Sequence, residues 1–195
     1  MDDVLANVAS RLESRPARRA LPNPLRWAAR EAGNAVVLAK AGIIAPINPV
    51  KLPQVGLSAL KFGVSLGTGV SVNAVRHPEA AMVIDEDGEL TWSDVDHRTD
   101  ALAAALRARG VKPGDGVGLM ARNGRGFVEP AIAIAKAGAD VLLLNTAFAG
   151  PQLTTVCDRE SAVALIHDDE FAEALDDAAA GRIRIQTSDI EQLCR

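Results

Sequence analysis

Residues 116–144 read GVGLMARNGRGFVEPAIAIAKAGADVLLL, and three kinds of pattern follow one another in them. Gly116–Met120 is a short apolar run of strand length, and Val141–Leu144 is a second, wholly apolar one. Between them ARNGRG reads as a loop, because clustered glycines mark turns. Phe127 to about Ala137 reads as a helix with Pro130 in its first turn. Two strands joined through a helix run parallel. Strands without polar alternation are covered on both faces.

The same alternation continues on both sides. Downstream, a helix is expected from Pro151 to Glu160, a strand over Ala162–Ile166, a helix from Asp168 or Asp169 to Ala180, and a strand over Arg182–Gln186. Upstream, Ala81–Asp85 and Leu90–Trp92 flank the turn residues EDG and read as a hairpin. Ser93 is placed to cap the next helix, with Asp96 three residues on as its capping-box partner. Val95, Thr99, Leu102 and Leu106 step along one face of that helix, and Gly110 stops it. These elements describe an α/β fold, a mostly parallel sheet with flanking helices. The first part of the chain differs. Val4, Leu5, Val8 and Leu12 share a helical face. Asn23–Pro24 opens a helix to about Lys40, and Leu57, Lys61 and Val64 keep helical spacing over 57–66 before GTG at 67–69 loosens the chain. Residues 1–73 therefore read as a helical arm and residues 74–195 as the α/β unit.

Charge supports that division. Residues 1–80 carry ten basic and five acidic side chains, and residues 81–195 carry eleven and twenty, so +5 and −9 sum to the net −4 of the chain. The chain's 195 residues, 48% of them apolar and 24% charged, are ordinary for a folded protein and exclude wholesale disorder. A negative balance and only six aromatic residues argue against a nucleic-acid binder. Two cysteines build neither a disulfide framework nor a four-thiolate zinc site. Asp2 and Asp3 stand where a secretory leader carries basic residues, and no run reaches a membrane-spanning length of ~20 apolar residues. A reducing cytoplasm is the expected location. The basic arm, with Trp27 and six arginines in its first thirty residues, has two readings: peripheral contact with an anionic membrane through residues 11–66, or a helical arm packed on the protein with its arginines in water.

Candidate chemistry is sparse. Arg122, Asn123 and Arg125 lie in a strand-to-helix loop at the edge where open sheets bind ligands, so they are the anion-site candidates. Their spacing matches neither the dinucleotide nor the phosphate-loop pattern, and a tight turn with solvated arginines is the simpler reading. His77, His97 and His167 lack companions at metal-ligand spacing, so no metal site is expected. Cys157 reads as a structural thiol. DEDGE at 85–89 reads as a hairpin turn and not as a calcium loop.

The stretch from His77 to Leu153 resembles the opening of adenylate-forming enzymes, most of all the acyl-CoA synthetases that activate long-chain fatty acids. The matching pieces, in order, are Pro78 and Ala80, Leu90–Thr91–Trp92, Gly110, Gly114–Asp115 with Val117, and Asn123. Lys136–Ala137–Gly138–Ala139, Leu144–Asn145–Thr146, Gly150 and Leu153 complete the series. The resemblance covers about residues 74–170, with departures at Trp92, Arg122 and Leu143, where Tyr, Pro and Pro are usual. It implies a partial N-terminal subdomain of the adenylate-forming fold. For the full-length family it implies ATP, Mg, CoA and a fatty acid substrate. The Ser/Thr/Gly-rich phosphate loop and the mobile C-terminal domain with its catalytic Lys have no counterpart in these 195 residues. The resemblance therefore carries over no catalytic residue, implies that the chain binds none of these cofactors alone, and points to a complementing C-terminal chain as a partner. Asn123, Asn145 and Thr146 read as structural. The alternative function is a non-catalytic α/β binding module whose arm contacts lipid or a partner; a small nucleotide binder using Arg122–Gly126 is a weaker third.

Overall fold

The computed structural model describes residues 53, 56–58 and 65–194. The helices expected at 4–12 and 24–40, and most of the 11–66 stretch, lie outside them. The described elements are α1 (Leu66–Arg76), β1 (Ala81–Asp85), β2 (Gly88–Thr91), α2 (Trp92–Ala108), β3 (Gly116–Met120), α3 (Arg125–Ala137), β4 (Asp140–Leu143), α4 (Gly150–Arg159), β5 (Ala162–His167), β6 (Ile183–Gln186) and a short α5 (Ile190–Leu193). β1 and β2 form an antiparallel hairpin. The other four strands form one sheet in the order β4-β3-β5-β6, every neighbouring pair parallel.

Strand alternation divides the core. Val117 and Leu119 of β3 face α2 and α3, where they pack with Leu102, Leu106 and Ile134. Met120 faces the other way, with Leu153 and Cys157 of α4 and with Phe171 and Leu175. A third cluster joins Val83 of the hairpin, Val70 of α1, Val95 of α2 and Ile132 of α3. Both faces of β3 and β5 are thus covered, as continuous apolar strands require. β4 is covered less completely: Leu143, expected inside, is 65% exposed. Gly118 lies in the tightest part of the sheet, where an added Cβ would stand 2.6 Å from Leu165 Cδ2 and 3.1 Å from Leu144 Cδ1.

Several expected local features are corrected. Residues 67–69 do not loosen the chain; they lie in α1. Ser65 caps this helix, its Oγ accepting from Thr68 N–H. Gly67 is needed there because a Cβ would meet Lys136 Cγ at 2.6 Å, so the absent side chain permits a close helix crossing. The cap of α2 is Thr91, not Ser93, and its box partner is Asp94, not Asp96. Thr91 Oγ1 accepts from Asp94 N–H while Asp94 Oδ2 accepts from Thr91 N–H. Asp96 instead accepts from Ser71 Oγ and Lys136 Nζ, both at 2.6 Å. Helix α3 begins at Arg125 and not at Phe127, so Pro130 falls in its second turn. The carbonyl of Gly124 accepts from both Phe127 and Val128 N–H, which draws the loop's last residues into the helix.

The helix expected from Asp168 to Ala180 is replaced by two 3-10 turns, Asp169–Phe171 and Glu173–Leu175. Asp168 stands at the N-cap of the first without capping it through its side chain, because its carboxylate accepts from Arg122 N–H and from Thr187 Oγ1, both at 2.6 Å. Two arginines also take main-chain carbonyls of this segment, Arg184 that of Ala172 and Arg182 that of Ala178.

Candidate functional site

The loops at the carboxyl ends of β3, β5 and β6 converge, as they must in a parallel sheet, and with the hairpin they border a cleft of about 1060 Å³. Arg122, Asn123 and Arg125 all line it. The structure therefore brings the three anion-site candidates together, and it also shows what their charges face.

Arg125 forks onto Asp85 of the hairpin. Its Nη2 donates to Oδ1 at 2.6 Å, its Nε to Oδ2 at 3.0 Å, and its main-chain N–H to Oδ2 at 2.9 Å. These donors hold the Asp85 carboxyl well below the usual carboxylate range, the Arg125 side chain most of all and its backbone N–H next. Arg122 forks onto Glu170 through Nε at 2.7 Å and Nη2 at 3.0 Å, which lowers the Glu170 carboxyl. The same guanidinium lies 5.1 Å from the centre of the Phe171 ring. A third arginine on the cleft wall, Arg98, pairs with buried Glu129 and with Glu191, whose Oε2 stands 2.9 Å from Arg98 Nη2. The Glu129 bond is the largest influence raising the Arg98 pKa. Seven carboxylates line this wall beside the three arginines, those of Asp85, Glu86, Asp87, Glu129, Asp168, Asp169 and Glu191. An incoming phosphate would compete with a carboxylate for each guanidinium, and for the amides of Arg122 and Arg125 as well. The arginines of the cleft are committed to ion pairs more than they are prepared for an anion.

Buried polar groups elsewhere also serve the fold. Lys136 Nζ, on a fully buried side chain, lies 2.6 Å from Asp96 Oδ1 and 2.8 Å from Asp100 Oδ1, tying α3 to α2. His167 is buried at the end of β5. Its Nε2 accepts from Arg184 Nε and its Nδ1 contacts the Asp168 carbonyl, both at 2.8 Å, so the hydrogen sits on Nδ1. Burial raises the thiol pKa of Cys157, and pushes that of Cys194 up to about 11. Both are poor nucleophiles. No His, Cys, Asp and Glu group among the described residues could hold a metal ion, and no described helix is long and apolar enough to cross a membrane.

Sequence reasoning did not pair Arg125 with Asp85, Arg122 with Glu170 or Arg98 with Glu129. The partners lie 40, 48 and 31 residues apart, beyond any helical or strand spacing that could have signalled them.

Comparison with known proteins bears on what this cleft belongs to. The sequence profile described as AMP-binding enzyme matches residues 70–193. A feruloyl-CoA synthase from Amycolatopsis sp is 35% identical over 118 residues, which are 60% of this chain and 24% of that protein. The medium/long-chain-fatty-acid–CoA ligase FadD6 of Mycobacterium tuberculosis is 33% identical over 121 residues, 62% of this chain and 20% of that protein. Among solved structures, the N-terminal domain of FACL13 from Mycobacterium tuberculosis superimposes with a TM-score of 0.62 at 20% identity. That match covers 67% of this chain and 35% of that one, a likeness of fold. The chain thus spans a quarter or less of the length of these curated relatives.

Proposed function

Because the chain belongs to the AMP-binding enzyme family, we propose that it is the N-terminal portion of an ATP-dependent fatty acyl-CoA synthetase and does not form an acyl-adenylate by itself. One observation supports the reading above others: the match runs through nearly all of the α/β unit, yet it covers only about a fifth to a quarter of each relative's length. Relatives named for a medium/long-chain fatty acid and for 3-oxocholest-4-en-26-oate support a large apolar carboxylic acid as the substrate class.

The residues present do not fit ATP. A triphosphate needs free amides and unpaired cations. The glycine-bearing loop of this cleft has the N–H groups of Arg122 and Arg125 on carboxylates, and both guanidiniums as well. We read Arg122, Asn123 and Arg125 as structural, fastening the β3–α3 loop to its neighbours. ATP, Mg and CoA are then met by residues downstream of those matched here, on a complementing stretch of polypeptide.

Two measurements test this together. Pyrophosphate exchange with ATP, Mg and palmitate is expected to stay at the buffer baseline for the 195-residue chain. Exchange above it would overturn the statement that the chain is inactive alone. In FadD6, the segment aligned with residues 74–193 is then replaced by these residues. Recovered palmitoyl-CoA formation is expected; a folded chimera that still exchanges pyrophosphate with other carboxylic acids but never with palmitate would sink the fatty acid assignment.

A further inference from the structure

We propose that Asn123 is a site of spontaneous modification: it closes a cyclic imide with Gly124, loses its side-chain amide, and leaves an isoaspartyl or aspartyl residue on the cleft wall. The chain has seven asparagines, and only Asn123 is followed by glycine. The ring closes when the following main-chain nitrogen reaches the side-chain carbonyl carbon, and a Cβ on the following residue obstructs that approach. Three of the seven are described, and their surroundings separate them. Asn73 lies inside α1, where its Nδ2 donates to the Gly69 carbonyl at 2.9 Å. The N–H of Ala74 after it is bound within the helix. Asn145 Oδ1 accepts from Ala147 N–H at 2.9 Å, and the side chain of Thr146 follows it. Asn123 is exposed, at a bend between β3 and α3. Among the described residues, neither its side-chain amide nor the Gly124 N–H has a hydrogen-bond partner.

The loop keeps this arrangement. Gly124 has φ +148° and ψ −170°, a conformation that residues with a Cβ rarely adopt, so the fold itself retains glycine after Asn123. The Gly124 carbonyl is held by Phe127 and Val128 N–H, while its own N–H, the attacking group, stays free. That nitrogen gives its proton to solvent base and attacks Asn123 Cγ. A bond forms between them, the bond from Cγ to Nδ2 breaks, and Nδ2 leaves as ammonia. Water then opens the imide. Opening at Cγ leaves an aspartate on the original main chain; opening at the main-chain carbonyl leaves an isoaspartate, whose main chain runs through Cβ. The net reaction takes up one water and releases one ammonia, with no oxidant and no metal. The isoaspartyl product lengthens the main chain between two anchors, Arg122 N–H on Asp168 at 2.6 Å and Arg125 N–H on Asp85 at 2.9 Å. It therefore loosens the β3–α3 loop, and either product adds a carboxylate to a wall already lined by seven.

The test is incubation of the folded 195-residue chain, well below its melting temperature, in mildly alkaline buffer made with heavy-oxygen water. Peptide mapping is expected to show amide loss at Asn123 ahead of Asn73 and Asn145, with heavy oxygen incorporated at residue 123. Isoaspartate should be the larger product, read by methyl transfer from an isoaspartyl methyltransferase. The rate should rise with pH, because the attacking nitrogen must lose its proton. Aged protein should melt lower than fresh protein. Asn123→Gln, whose longer side chain closes the ring far more slowly, should abolish the isoaspartate signal and hold its melting temperature on ageing. Mapping of the parent chain decides the matter if that variant does not fold. An Asn123 that keeps its amide while a peptide of residues 119–129 loses it overturns the proposal. So does amide loss at Asn73 or Asn145 at an equal rate, or a product without isoaspartate.

Discussion

Glycines show how much a single residue's neighbours matter. Gly67 and Gly69 sit two positions apart in α1, and sequence alone treats them alike as helix breakers. In the structure a Cβ at Gly67 would collide with Lys136, whereas nothing lies within 4 Å of one at Gly69. Gly69→Ala should stabilise the protein by about 0.5–1 kcal/mol, the ordinary helix preference for alanine. Gly118→Ala inserts a methyl between fully buried Leu165 and buried Leu144, and should destabilise by about 1–3 kcal/mol. Thermal melts read both, at roughly 2–4 °C per kcal/mol for a chain of this length. If Gly118→Ala melted as the parent does, the sheet would be looser than its packing indicates.

At the scale of elements, the cap of α2 decides between two sequence-compatible starts. Ser93 and Thr91 both suit the role, and Asp96 and Asp94 both suit the third position after it. The hydrogen bonds choose Thr91 and Asp94, which leaves Asp96 free to receive Lys136 and Ser71. Thr91→Ala should cost about 1 kcal/mol, the usual loss of a side-chain cap, and Ser93→Ala only a few tenths. Equal effects in urea unfolding would return the cap to Ser93. Helix α3 and the segment after β5 show the same dependence on distant partners. The first turn of α3 forms with Asp85 bound to Arg125 N–H, and the expected helix at 168–180 is lost where Asp168 binds Arg122 and Thr187. The strands and the face of α2 were legible because their signals are local: runs of apolar residues, and the steps Val95, Thr99, Leu102, Leu106.

For the whole molecule, carboxylates held ionised by their donors make stability depend on acid. Arg125 holds the pKa of Asp85 down, Thr91 that of Asp94 and Arg122 that of Glu170. A depressed folded pKa gives stability that is complete above the unfolded value of about 4 and is lost as pH falls through the folded one. Unfolding free energy should therefore decline as pH drops from about 5 toward 2. Asp85→Asn should flatten that decline more than Glu170→Gln. Asp85 accepts a guanidinium fork and a main-chain N–H on a side chain 15% exposed, while Glu170 meets Arg122 at a surface where it is 50% exposed and the pair is screened. If Glu170→Gln flattened it equally, the hairpin would not be latched through Asp85.

By itself the sequence determined that this is an α/β protein with a mostly parallel sheet, where most strands lie, and which family it resembles. Those properties are carried by residues adjacent along the chain, through backbone alternation, helical period and motif order. Only the tertiary structure decided what Arg122 and Arg125 do, because a guanidinium is an anion site or an ion-pair partner according to what stands across from it. The carboxylates that answer them arrive from 40 and 48 residues away along the chain. It also decided the strand order β4-β3-β5-β6, since strand order, unlike strand identity, is set by packing.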